Sequence, residues 1–135
     1  EGDPRRAIIT STIASCDLIN AVVVGSPLDH RRQERARRKC MQRLLHELEA
    51  LGVSQVWVES RTKTLNRKDL QMVDALRGEG VITRALRVDF RLPSEEPMLW
   101  VPDAVAGAVS AARKGTETTH RKLLGEMVTE YEIAL

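Results

Sequence analysis

Aromatic side chains are scarce in this chain and make up 3% of its 135 residues. Its core must therefore be filled mainly by Leu, Val, Ile and Ala. The scarcity also argues against RNA-recognition and OB modules, which stack bases on exposed aromatic side chains. Neither a GxGxxG motif nor a P-loop occurs, so a nucleotide-cofactor site is poorly supported.

Cysteine and long apolar runs are also rare. Cys16 and Cys40 make no disulfide framework and show no CxxC or Cys/His ligand spacing. Because both lie among apolar neighbours in helix-like segments, we expect buried free thiols. The longest stretch low in charge, residues 97–112, is too short to cross a bilayer. No signal-peptide pattern opens the chain, so we expect a cytoplasmic protein without a membrane partner.

No repeat, low-complexity tract or linker divides the chain, and its length suffices for one hydrophobic core. We therefore predict a single domain over residues 1–135. The chain starts with Glu1-Gly2-Asp3 and has no initiator Met. We therefore treat it as a candidate C-terminal part of a longer protein.

Strand-like and helix-like patterns alternate along the sequence. We predict strands over residues 18–24, 53–60 and 81–90, and helices over residues 3–15, 31–51, 66–77, 97–113 and 118–135. The end of the last helix could instead be extended. Asp3, Asp29 and Asn66 are the predicted caps of the first three helices. Strands separated by helices at this spacing predict parallel pairing through right-handed crossovers, and hence an α/β domain.

Acidic residues follow the predicted strands. In open parallel sheets, ligands bind beyond the carboxyl ends of the strands. Asp29, Glu59 and Asp89 fall at that edge, and Asp103 joins them if its helix begins near Pro102. Carboxylates gathered there would suit a hard cation such as Mg²⁺. The alternatives are that Asp29 caps a helix, Glu59 forms a salt bridge, and Asp89 lies on an exposed strand face.

Asp103 is the only charged residue between Glu96 and Arg113. Burying even a neutral polar group without a partner costs about 2–7 kcal/mol. Asp103 therefore predicts a partner, a metal or water beside it. The alternative is that it favours the first turn of its helix, where the helix dipole stabilises an acidic side chain.

Basic residues cluster in two places. Seven Arg or Lys residues lie between His30 and Arg43, against one acid, Glu34, and residues 61–68 add four more. Cations in the first turns of a helix oppose its dipole, at a cost of about 0.3–1 kcal/mol each. Phosphate binding would compensate for that cost. Arg37 lies on the apolar side of the helix and is predicted to point toward the acidic edge. The alternative is a solvated face in which Glu34 is an internal partner.

Three segments carry a resemblance to a known family. They are Val56-Trp57-Val58-Glu59-Ser60-Arg61, the apolar run of residues 97–109, and Arg35-Ala36-Arg37-Arg38-Lys39-Cys40 before Leu44-Leu45. The chain resembles an uncharacterised bacterial family, common in actinobacteria, whose members carry a ribonuclease-H-like domain of unknown function. The resemblance implies a three-layer ribonuclease-H-like fold, with a mostly parallel sheet flanked by helices.

The same resemblance implies that Glu59 and Asp103 occupy two acidic positions of a ribonuclease-H-like site. Family members usually begin with a strand that carries an Asp-Glu-Ser-Gly-like motif, and no such segment occurs here. The chain is therefore expected to lack the N-terminal strands and the first metal-binding aspartate of the fold.

The first functional hypothesis is a metal-dependent nuclease or nucleic-acid-processing domain that acts on phosphodiesters. Glu59 and Asp103 would ligate Mg²⁺ or Mn²⁺, and the metal would activate water. Phosphates would be held by Arg35, Arg37, Arg38, Arg61 and Lys63. The alternative is a non-catalytic module of the same fold that binds nucleic acid or assembles with protein partners. A homo-oligomer is compatible with either hypothesis.

Overall fold

The computed structural model describes residues 4–16 and 18–135, which form five α-helices and four strands. The helices are α1 (Pro4–Ser15), α2 (Gln33–Ala50), α3 (Lys63–Gly78), α4 (Trp100–Lys114) and α5 (Thr119–Leu124). The strands are β1 (Asn20–Ser26), β2 (Gln55–Glu59), β3 (Arg87–Arg91) and β4 (Val128–Ala134). Short 3₁₀ helices (His30–Arg32, Pro97–Leu99 and Gly125–Met127) precede α2, α4 and β4. The predicted cap Asp3 lies outside the described residues.

The strands form two pairs. β1 pairs with β4, and β2 pairs in parallel with β3, in a register that runs from Gln55 opposite Arg87 to Glu59 opposite Arg91. α3 connects β2 to β3, as expected for a parallel crossover. The prediction of an α/β chain is confirmed, and parallel pairing is confirmed for β2 and β3, whereas the first predicted strand pairs with β4 instead of joining them. Within the described part of the chain, no helix is both long and apolar enough to cross a membrane.

The chain divides into two compact units. One comprises Glu1–Val22 and Met98–Tyr131, and the other comprises Val23–Pro97 and Glu132–Leu135. We call them the helical unit and the crossover unit. That they belong to one domain over residues 1–135 stays a prediction.

The core of the crossover unit lies between the helices α2 and α3 and the β2–β3 sheet. It consists of Leu45, Met72, Val73, Leu76, Ile82 and Leu86. Val56 and Val88 pack against this core from the sheet. Since side chains alternate along a strand, Trp57 and Glu59 face the other way, and both are exposed. One face of the sheet is therefore apolar and covered by helices.

In the helical unit, α1, α4 and α5 pack on one another. Ile13, Val105, Val109, Leu124 and Val128 form buried apolar positions there. Gly115 ends α4 as predicted, with a φ of 72° that favours glycine. The predicted last helix is interrupted at Gly125, and the chain continues as β4. The alternative of an extended end is therefore confirmed.

Residues 81–86 are a loop rather than the first part of β3, so the predicted strand over 81–90 is too long. Ile82 and Leu86 are still buried, which explains their strand-like apolar pattern. Side chains bond to this loop: Glu49 accepts the N–H of Thr83 at 2.9 Å, and Arg77 donates to the carbonyl of Leu86 at 2.7 Å. Bonds of this kind take the place of strand pairing.

Of the two predicted helix caps that lie within the described residues, Asp29 is confirmed and Asn66 is wrong. Asp29 accepts the backbone N–H of Arg31 at 3.0 Å and caps the 3₁₀ turn before α2, which confirms its predicted role. Asn66 does not cap α3. Thr62 caps this helix, and its Oγ1 accepts the N–H of Leu65 at 3.2 Å.

The expectation of two buried thiols is wrong for Cys16, which is exposed, whereas Cys40 is partly buried.

Candidate anion-binding groove

A buried carboxylate joins α2 to α3 in the crossover unit. Asp69 on α3 is 3% exposed and accepts hydrogen bonds from two arginines. Arg37 Nη2 lies 3.0 Å from its Oδ2, and Arg61 Nη2 lies 2.7 Å from its Oδ1. Arg61 also donates to Glu34, with Nη1 2.6 Å from Oε1 and Nη2 3.4 Å from Oε2. The four side chains form one salt-bridge network in which acidic and basic residues alternate, in the order Glu34, Arg61, Asp69 and Arg37.

The loop between β2 and α3 fixes the position of Arg61. Its backbone N–H donates to Asn66 Oδ1 at 2.8 Å, and Asn66 Nδ2 donates to Ser60 Oγ at 2.9 Å. The N–H of Ser60 donates to the carbonyl of Arg91 at 2.9 Å, which continues the β2–β3 pairing past Glu59. Asn66 therefore holds this loop instead of capping α3.

The charges of this network stabilise one another. The hydrogen bond from Arg61 holds the pKa of the Glu34 carboxyl below its ordinary value despite some desolvation. The same bond raises the pKa of Arg61. Glu34 is therefore ionised at neutral pH.

A groove of about 610 Å³ lies between α2 and α3. Its basic lining consists of Arg35, Arg38, Lys39 and Lys68, and its acidic lining consists of Glu34, Asp69 and Glu79. Among residues 4–16 and 18–135, these four basic side chains form no salt bridge, although Lys68 is close enough to Glu34 to help lower the pKa of its carboxyl group. Because Arg61 and Arg37 neutralise Glu34 and Asp69, the groove presents an excess of positive charge.

The five predicted phosphate-binding residues take three different positions. Arg35 and Arg38 are exposed and line the groove. Arg37 and Arg61 bind carboxylates instead of standing free. Lys63 is exposed at the first residue of α3 and does not line the groove. The alternative reading of Glu34 as an internal partner of the basic residues is confirmed by its bond to Arg61.

Sequence reasoning missed Asp69, although the sequence contains a signal for it. Asp69 lies four residues after Leu65 and three, four and seven residues before Met72, Val73 and Leu76. This spacing places a charged residue on the apolar face of α3. A carboxylate at such a position needs a cationic partner. Arg37, which the sequence places on the apolar side of its own helix, is one of the two arginines that bind Asp69.

The two predicted metal ligands are both exposed. Glu59 lies at the carboxyl end of β2 in the crossover unit, opposite Arg91. Asp103 lies in the first turn of α4 in the helical unit. Asp103 is exposed to water, which is one of the three surroundings predicted for it, so its position requires neither a protein partner nor a metal. The helix dipole accounts for an acid at this position.

Other acids at the predicted edge have protein partners. Gln55 Nε2 donates to Asp89 Oδ2 at 3.0 Å, and Asp29 caps the turn before α2. Within the part of the chain that the structure describes, no three His, Cys, Asp or Glu side chains are grouped so that they could hold a metal ion. Glu59 and Asp103 therefore do not form part of a described donor set for Mg²⁺ or Mn²⁺.

No family model matches the chain, and no curated protein or solved structure is significantly similar to it. The chemistry of the groove between α2 and α3 is therefore the observation that bears most directly on function.

Proposed function

We propose that this chain is a nucleic-acid-binding domain that holds the phosphate backbone in the groove between α2 and α3. One observation supports this proposal above the others. Arg35, Arg38, Lys39 and Lys68 line one groove and form no salt bridge with any described residue, while the acids Glu34 and Asp69 are neutralised by arginines. Such an arrangement attracts phosphates, and arginine binds them through two parallel hydrogen bonds.

The lining of the groove suggests which part of a nucleic acid it binds. No aromatic side chain lies among the described residues that line it, and the apolar part of this lining consists of Met72, Ala75 and Leu76. Bases would therefore find no stacking surface in the groove. Contacts to phosphates fix the position of a nucleic acid but do not read its sequence. We expect binding that depends strongly on salt and weakly on sequence.

The test is fluorescence anisotropy with labelled DNA and RNA duplexes at several salt concentrations. We expect Arg35→Ala combined with Arg38→Ala to weaken binding about tenfold or more, and to reduce the salt slope by about 2. The matched control is Arg84→Ala with Arg87→Ala, which removes the same charge from exposed positions outside the groove. Equal losses in the two double variants, or binding without a salt slope, would contradict the proposal.

We also propose that the α/β chain is a ribonuclease-H-like domain of the bacterial family that its sequence resembles. The parallel β2–α3–β3 crossover is compatible with that fold. An experimentally determined structure is the test. A structure in which β2 and β3 do not pair in parallel, or are not connected by α3, would contradict the proposal.

A metal-dependent nuclease is the second candidate function. It is favoured by the position of Glu59, which is exposed at the carboxyl end of a strand in a parallel pair. Asp103 is also exposed and open to a ligand. Because no donor set for Mg²⁺ or Mn²⁺ is assembled among the described residues, no catalytic step through a metal follows from it.

Isothermal titration of Mn²⁺ tests this second candidate. A metal-dependent nuclease predicts heat of Mn²⁺ binding to the native chain, and loss of that heat in Glu59→Gln and in Asp103→Asn. Glu79→Gln, an exposed acid on the crossover unit, is the control. Titration curves that are the same for all four proteins would contradict the assignment of Glu59 and Asp103 as metal ligands.

A further inference from the structure

Arg61 binds two carboxylates that differ greatly in exposure. Asp69 is buried and also bonded to Arg37, so it cannot leave without stranding charges inside the protein. The side chain of Glu34 is 46% exposed, and Arg61 is its only described hydrogen-bond partner. The two contacts are therefore unequal: one is fixed and the other can be exchanged.

The geometry of the second contact matches that of a phosphate. Two nitrogens of the Arg61 guanidinium face the two oxygens of Glu34, at 2.6 and 3.4 Å. Phosphate oxygens occupy the same paired positions when arginine binds a phosphate. Glu34 lines the groove between α2 and α3 and Arg61 does not, so a phosphate held in the groove reaches Arg61 only when Glu34 moves aside.

We infer that Glu34 is an internal substitute for a phosphate of the ligand, and that this phosphate displaces Glu34 from Arg61 when nucleic acid binds. The inference rests on the proposed function and adds a specific site to it. Arg61 becomes the phosphate-binding residue at this position of the groove, and Glu34 becomes its competitor. Asp69 and Arg37 remain bonded and keep the guanidinium in place.

The exchange is feasible because neither Glu34 nor Arg61 is left as an unpaired charge inside the protein. Glu34 lies in the first turn of α2 and can turn into water. Arg61 keeps its bond to Asp69 and exchanges one anion for another. Exposed ion pairs contribute little to stability, so the contact with Glu34 presents a small barrier to a phosphate that is already held by neighbouring cations.

A competitor has a distinctive effect when it is removed. Loss of a residue that merely supports the groove would weaken binding, whereas loss of Glu34 should strengthen it. Removal of any acid near the bound nucleic acid also strengthens binding, because it reduces long-range repulsion of the phosphates. The control must therefore remove an equal charge from the same groove without freeing an arginine. Glu79 lines the groove, is exposed and forms no described side-chain ion pair.

The experiment compares Glu34→Gln with Glu79→Gln by anisotropy with a labelled DNA duplex. We expect Glu34→Gln to raise affinity about fivefold more than Glu79→Gln does, which corresponds to ~1 kcal/mol. In an Arg61→Lys background the two substitutions should have equal effects, because lysine lacks the paired nitrogens. If circular dichroism shows that Arg61→Lys does not fold, the comparison of the two single variants decides alone.

The possible failures are distinguishable. Equal gains from Glu34→Gln and Glu79→Gln, or a loss from Glu34→Gln, would overturn the exchange at Arg61 while leaving the groove as a phosphate-binding surface. An advantage of Glu34→Gln that persists undiminished in folded Arg61→Lys would also overturn it. If the native chain and both variants bind DNA without salt dependence, the proposed function itself fails, and the exchange fails with it.

Discussion

Asp69 Oδ1 lies 2.7 Å from Nη2 of Arg61, and this contact is made inside the protein, where Asp69 is 3% exposed. The other oxygen of Asp69 accepts from Arg37. Each arginine approaches from a different segment, Arg37 from α2 and Arg61 from the loop after β2. The Asp69 carboxylate therefore links three parts of the crossover unit, namely α2, α3 and the loop after β2.

Replacing this carboxylate should destabilise the protein. Asp69→Asn leaves two guanidinium groups facing a neutral amide. Breaking a buried pair by removing one partner costs about 3–5 kcal/mol, and we expect the lower end because both arginines are partly exposed. The measurement is the free energy of unfolding in urea. Asp74→Asn on the same helix, whose side chain is 77% exposed, is the control and should cost less than about 1 kcal/mol. Similar losses in the two variants would refute a special role for Asp69.

The cap of α3 offers a second, local prediction. Thr62 Oγ1 accepts the N–H of Leu65, so Thr62→Ala leaves one donor of the first turn unpaired. We expect a loss of about 1 kcal/mol in the free energy of unfolding. Thr64→Ala, an exposed substitution two residues later, should change it by less than about 0.5 kcal/mol. A larger effect at position 64 than at 62 would show that the cap is misassigned.

The sequence was informative where local chemistry decides the structure. The 3.6-residue apolar period of residues 31–51, Asp29 before it and Gly115 after α4 all had the predicted local effect. It was less informative where a distant partner decides. Residues 81–86 have the apolar content of a strand, but Glu49 and Arg77 bind their backbone in a loop. Nothing in the local pattern distinguishes these two outcomes.

The same limit applies to the candidate site. The charge pattern predicted phosphate contacts for residues 31–43 and 61–68, but it did not indicate which of their cations form salt bridges within the protein. Arg37 and Asp69 are 32 residues apart, and Arg61 and Glu34 are 27 apart. Only the packing of α2 beside α3 brings them together. The composition of Arg35-Ala36-Arg37-Arg38 therefore could not show that Arg37 is used internally while its neighbours line a groove.

The two cysteines should differ in reactivity. Cys16 is exposed, whereas Cys40 is partly buried, and that burial raises the pKa of its thiol. Since the thiolate is the reactive form, Cys40 should be alkylated more slowly than Cys16 at neutral pH. Iodoacetamide labelling followed by mass spectrometry measures both rates in one sample. In Cys16→Ser, only the slow phase should remain, and urea should accelerate it. Faster labelling of Cys40 than of Cys16 in the folded chain would contradict its burial.

Glu130 links stability of the helical unit to pH. Its carboxylate accepts from Arg113 Nε at 2.6 Å and from Arg121 Nε at 2.9 Å. Burial alone would raise the pKa of Glu130, but these arginine bonds outweigh it and lower the pKa overall. A carboxyl group whose pKa is lower in the folded state adds stability at a pH above its unfolded pKa, which is about 4.3 for Glu. That stability is lost as pH falls through the lower, folded pKa.

We therefore expect Glu130→Gln to lower the free energy of unfolding by about 2 kcal/mol near pH 7, because two charge-assisted hydrogen bonds are weakened. The difference from the native chain should shrink as the pH falls below about 4.3, where the native carboxyl group also becomes neutral. Glu126→Gln, at an exposed neighbouring position, should change the free energy of unfolding near pH 7 by less than about 0.5 kcal/mol. Urea unfolding at a series of pH values gives both curves. A Glu130→Gln difference that stays constant across that range would mean that the arginine bonds do not stabilise the charged form, since only a proton-linked contribution can disappear with acid.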